Sequence, residues 1–139
     1  MATRSTAVND QFRRRFRELL ERAGSKAELV ARKVALDLHV SLVMKSPVDT
    51  GRFRANWVMQ YAATPLIIEG NDKSGGGSIA AASAVLGSFV IGQRIFMTNS
   101  LPYAIPLEYG HSSQAPAGMV RITVAEFDQF LKKAVGEVK

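Results

Sequence analysis

The stretch Asn99-Ser100-Leu101-Pro102-Tyr103-Ala104-Ile105-Pro106-Leu107-Glu108-Tyr109-Gly110-His111-Ser112-Ser113-Gln114-Ala115-Pro116-Ala117-Gly118-Met119-Val120 decides how this chain is read. It is aromatic, punctuated by proline and nearly uncharged, which suits neither a simple solvent loop nor a regular helix or strand. Pro102 and Pro106 forbid a continuous helix and bias the residue before each towards extended geometry. A rigid connector of this kind, leading into an amphipathic helix, either plugs a gap in its own fold or offers apolar side chains to another chain. Here it is expected to do both.

Downstream, Val120, Val124, Phe127, Leu131, Ala134 and Val138 repeat every three or four residues, which predicts a helix over about 118–138 with Lys132 and Lys133 near its negative end. Upstream, Arg94 to Asn99 reads as a strand. A second strand is predicted from Phe53 to about Tyr61, with Phe53, Ala55, Trp57, Met59 and Tyr61 on one side and Trp57 as the anchor. Between the two strands, the run over 70–78 contains three consecutive glycines and is expected to be flexible. Ser78 then caps an alanine-rich helix covering about 79–88.

The first half of the chain is helical in pattern. Val8, Phe12, Phe16, Leu19, Leu20 and Ala23 define an amphipathic helix over about 6–23, interrupted by Gly24-Ser25. The next helix, about 26–45, has apolar residues well beyond one stripe and should be the most buried; Ser46-Pro47 ends it and Val48-Asp49-Thr50-Gly51 turns the chain. These elements compose a single α+β domain over 1–139. Its small, mainly antiparallel β-sheet packs against a long N-terminal helix and a C-terminal helix, with residues 1–25 forming a basic helical arm.

At 139 residues, 47% hydrophobic and 22% charged, the chain can bury a real core and is not of disordered composition. It has no cysteine, so neither a disulfide framework nor a thiolate metal site is open to it. No apolar run approaches a bilayer span and no signal-peptide core is present, which predicts a protein that is soluble and cytosolic when made, without membrane contact. The net charge of +6 is one-sided: residues 1–60 hold twelve Lys or Arg against six Asp or Glu, and residues 61–139 hold six of each.

Chemistry-bearing motifs are weak. The glycine triplet lacks the Gly-Lys-Ser/Thr of a phosphate loop. Glu108 and His111 could share a helical face, but the only other histidine, His39, lies in the apolar second helix, and metal sites need three or four ligands. Ser112 and Ser113 near His111 sit in no nucleophile elbow. Asp49 with Glu108 is the remaining acid/base pair, better read as a turn residue and a backbone acceptor. No enzyme, cofactor or metal is expected. The rival signal is Arg13, Arg14, Arg15, Arg17 and Arg22, which could contact DNA phosphates or an acidic partner; the alternative function is therefore a basic-helix DNA-binding protein using residues 4–33.

Two segments carry a resemblance. Ser46-Pro47-Val48-Asp49-Thr50-Gly51-Arg52-Phe53-Arg54-Ala55-Asn56-Trp57, together with Asn99, Leu101-Pro102-Tyr103-Ala104, Leu107-Glu108-Tyr109-Gly110, Ser112 and Gln114 to Val120, resembles the neck and tail-completion proteins of long-tailed bacteriophages. With the flanking helices in matching order, the similarity spans about 26–130. It departs from the pattern at Ile105-Pro106 and at His111.

The resemblance implies a structural virion protein that forms a homo-oligomeric ring, hexameric by expectation, at the head-proximal end of the tail. Such a ring caps the tail tube and joins it to the head connector, contacting neighbouring neck, connector and tail-tube proteins. Genomic DNA would pass through the lumen, and the protein would reside in the host cytoplasm during assembly. The family offers no catalytic residues. It implies fold or assembly roles for Asp49, Thr50, Gly51, Trp57, Asn99, Pro102, Tyr103, Leu107, Glu108, Tyr109, Gly110, Gln114, Pro116, Gly118 and Met119.

Overall fold

The computed structural model describes residues 10, 11, 13–15, 17, 18, 21 and 26–137. In chain order the elements are α1 (Ala27–Lys45), α2 (Arg52–Ala55), β1 (Trp57–Gln60), α3 (Gly76–Leu86), β2 (Phe96–Asn99), α4 (Ala104–Glu108), α5 (Val120–Ala125) and α6 (Phe127–Glu137). The class is α+β, as the alternation of helical and strand-like patterns predicts.

α1 is the axis of the fold because its apolar residues spread around more than one face. Leu42 and Val43 meet Phe53, Trp57, Leu101, Ala115 and Met119 in one buried cluster. Ala31 and Ala35 meet Met59, Ala82, Leu86 and Phe89 in a second. Val30 and Val34 meet Phe127, Leu131 and Ala134 in a third. The connector and Trp57 thus meet the C-terminal end of α1, Met59 and α3 lie along its earlier turns, and the terminal helix takes α1, not the two strands, as its main partner.

β1 and β2 pair antiparallel with Trp57 opposite Asn99 and Gln60 opposite Phe96. The strand predicted from Phe53 begins only at Trp57: Arg52–Ala55 form a helical turn instead. Gly51 explains the change. Its φ of +90° sends the chain into the turn, its carbonyl accepts from Ala55 N at 3.0 Å and Asp72 N at 3.2 Å, and a Cβ there would collide with the Asp72–Lys73 backbone. Arg54 then points back, donating to the carbonyls of Met44, Ser46 and Lys73, where it covers the negative end of α1.

The glycine run is shaped by Asp72. Its carboxylate accepts from the backbone N–H groups of Ser74, Gly75 and Gly77, so α3 starts at Gly76, earlier than a Ser78 cap predicts. Ser78 is instead buried, receiving His39 Nε2 at 2.8 Å and donating to the Trp57 carbonyl at 2.5 Å.

Two further corrections concern proline and helix length. Pro106 occupies the third position of α4, where an N–H has no intrahelical acceptor to lose, and Leu107 N still reaches Tyr103 O at 3.1 Å. Ile105 is consequently helical despite preceding a proline. The terminal helix predicted as continuous is divided at Glu126, whose side chain takes Lys45 Nζ at 3.0 Å while its backbone N–H still reaches Ile122 O.

Candidate assembly surface

The two motif segments, some fifty residues apart in sequence, are tied together side by side. Gln114 pairs with Val48 as a peptide group would: Val48 N donates to Gln114 Oε1 at 2.9 Å and Gln114 Nε2 donates to Val48 O at 3.0 Å. Asn99 Nδ2 donates to Phe53 O at 2.9 Å, and the Phe53 ring packs on Tyr103 and, edge-on, on Trp57, each with centroids 5.9 Å apart. Trp57 is buried and donates from Nε1 to Ser46 Oγ at 2.7 Å; Ser46 in turn donates to Leu42 O. Thr50 Oγ1 accepts from Arg52 N, whereas Asp49 is exposed and has no partner among the described residues.

Glu108 fixes the other end of the connector. Its carboxylate accepts from Met119 N and Val120 N at 2.8 Å, from Arg121 N at 3.1 Å and from Arg121 Nε at 3.0 Å, so a distant glutamate serves as the cap of α5. Partial burial pushes its pKa up, and these donors together more than offset that, holding it below the usual carboxylate range. Arg121 is shared with Tyr109, its guanidinium 5.1 Å from the ring centre.

This frame separates what the connector buries from what it shows. Leu101, Ala115 and Met119 point into the core, with Leu107 packed against them, and Gly110 brings the chain against the Pro116 carbonyl, where a Cβ would lie 2.7 Å away. Ile105 and Tyr109, one helical turn apart, are 72% and 69% exposed, and Val120 and Val124 on α5 are exposed in part. Tyr103 is partly exposed, and Pro102 is exposed in the turn before α4. Glu108 and Arg121 form an ion pair at 3.0 Å beside these exposed apolar residues of α4 and α5.

The basic arm is described in part. Arg13, Arg14, Arg15 and Arg17 are helical and exposed, and Arg15 pairs with Asp128 of α6 at 3.1 Å. Arg22 and the Gly24-Ser25 interruption lie outside the described residues. Among the described residues no group of three or more His, Asp or Glu is placed to hold a metal ion, and no helix is long and apolar enough to cross a membrane.

Asn56, Asp72, Arg54 and Arg121 do as much for this surface as the residues named from sequence. Only Asp72 had a local signal, an acceptor a few residues ahead of a glycine-opened helix; the others act on backbone far away in sequence. Comparison with protein families, with curated proteins and with solved structures finds no match to this chain.

Proposed function

We propose that this chain is a structural subunit of a phage virion, assembling with copies of itself into a ring that closes the head-proximal end of the tail and joins it to the head connector. The observation that carries the reading is the exposure of Ile105 and Tyr109 on a connector tied to the rest of the fold by Gln114, Asn99 and Glu108. Apolar groups held rigidly in water favour association, because little conformational entropy is lost when a partner covers them. The resemblance of the two motif segments to tail-completion proteins supplies the kind of assembly.

The test is sedimentation and negative-stain imaging of the purified chain, alone and with tail tubes. Closed rings, seated on the tube end when tubes are present, are expected. A strictly monomeric chain that leaves tube ends bare overturns the reading.

A second reading rests on Arg13, Arg14 and Arg17, which are exposed and without an ion-pair partner among the described residues. In it the arm contacts DNA phosphates, within the ring lumen or in its absence.

A further inference from the structure

Along α1, between α6 and the segment that leads into β2, runs an apolar groove of about 440 Å³. Ala31, Val34, Ala35 and Leu38, spaced i, i+3, i+4 and i+7, form its floor, and Phe89 and Phe127 stand at its sides. None of its described lining residues is charged. A floor of this spacing matches the apolar stripe of one more helix laid along α1.

The N-terminal arm has the pattern of such a helix. Its eight described residues, from Asp10 to Glu21, are helical, polar and exposed. At about 100° per residue they occupy an arc of about 200°. By sequence the opposite arc belongs to Phe12, Phe16, Leu19 and Leu20, which lie outside the described residues. A single helix of this length is marginal in water and draws its stability from burying such a face.

One contact says where the arm lies. Arg15 Nη1 is 3.1 Å from Asp128 Oδ2. Asp128 follows Phe127, which lines the apolar groove, whereas Gln129, Phe130 and Lys133 line a separate cleft on the other side of α6. The pair therefore sets the arm beside the apolar groove. An exposed ion pair adds little stability, so Arg15 marks the position and the apolar face is left to hold it. The spacing also suits the arm of the same chain. α6 runs antiparallel to α1, with Glu126 paired to Lys45 and Glu137 to Lys33, so Asp128 stands between the levels of those two lysines, nineteen and seven residues after Lys26. Arg15 stands eleven residues before Lys26, so a helix turned back at Gly24-Ser25 reaches Asp128 without a second copy.

We propose that the N-terminal arm occupies this groove in its own chain, seated by Phe12, Phe16, Leu19 and Leu20 and edged by the Arg15–Asp128 pair. Docked in this way the arm is part of the body, and Arg13, Arg14 and Arg17 are displayed from a fixed helix instead of a free tail. The inference stands apart from the ring reading.

The chain has no cysteine of its own, so two can be placed. The double variant Arg15→Cys/Asp128→Cys, prepared as an equal mixture of unlabelled and nitrogen-15-labelled protein, is treated with a short bis-maleimide and digested. Peptides joined within one isotope are expected. Mixed-isotope pairs, which put the arm on a second copy, overturn the proposal, and so does the absence of any joined pair. Hydrogen exchange of the unmodified chain is the second measurement: amides of residues 10–21 are expected to exchange at least about tenfold more slowly than in an unstructured chain. Phe16→Asp is expected to remove that protection and Arg17→Asp, on the outer face, to keep it. Exchange at the unstructured rate in the unmodified chain, or full protection in Phe16→Asp, overturns the apolar seat.

Discussion

The carboxylate of Glu108 lies where a side chain on Gly118 would have to go. Gly118 has a φ of +84°, and a Cβ built on it would run into the Glu108 carbonyl and come within 2.7 Å of Oε2. The connector is closed by this contact between residues ten apart, which lets the carboxylate reach three successive N–H groups of the α5 start. Gly118→Ala is expected to destabilise the fold by roughly 2–4 kcal/mol, since it combines a left-handed backbone with a collision against backbone. Denaturant titration checks this; a loss under about 0.5 kcal/mol contradicts it.

Trp57 anchors the ribbon through Phe53, Val43 and the Ser46 hydroxyl. Trp57→Ala is expected to cost about 3–5 kcal/mol. Trp57→Phe keeps most of the packing and loses the hydrogen bond, for about 1 kcal/mol. Thermal melts of the two variants separate the contributions.

His39 has no exposed surface, and burial lowers its pKa to about 4, against a smaller opposing effect of the Ser78 contact. The Ser78 hydroxyl gives its one proton to Trp57 O, so His39 Nε2 must carry a proton and Nδ1 is the bare nitrogen. Because the folded pKa lies below the unfolded value near 6.5, the unfolded chain binds the extra proton first. Stability from this group is complete above about pH 6.5, is lost as pH falls towards 4, and changes no further below that, a total of about 3 kcal/mol. His39→Gln is expected to flatten the stability profile in that window.

Glu108 acts at lower pH. Its folded pKa is depressed, so its contribution is present above the unfolded carboxylate range and is lost as pH falls through the folded value. Glu108→Gln keeps one acceptor oxygen but gives up the charge facing the α5 N-terminus and Arg121, and is expected to cost about 1–3 kcal/mol at neutral pH and progressively less as acid protonates the carboxylate. A loss that does not shrink with acidification would contradict the ionic account.

The exposed patch is separable from the fold. Ile105→Asp with Tyr109→Ser is expected to leave the melting temperature within about 2 °C while abolishing assembly, since both side chains lie largely in water in the single chain. For the arm, Arg13→Ala/Arg14→Ala/Arg17→Ala is expected to remove any duplex binding that weakens steeply with salt and to leave ring formation intact.

Some of this protein was written locally. The length of α1, the turn at Gly51 and an antiparallel pairing of strands around Trp57 and Met97 follow from the spacing of apolar residues and from proline and glycine, whose effects are set within a few residues. Only the tertiary structure decided that Phe53 belongs to a helical turn and not to the strand, because period-two alternation over Phe53 to Tyr61 cannot register that Gly51 is clamped against Asp72 and Lys73. It also decided that Asp72, not Ser78, opens α3, that Pro106 sits inside a helix, and that Arg54, Asn56 and Gln114 spend their polar groups on distant backbone. Arg54, Asn56 and Gln114 reach backbone 10, 12 and 66 residues away in sequence, at Met44, Ile68 and Val48, and side-chain hydrogen bonds to remote backbone leave no periodic trace in a sequence.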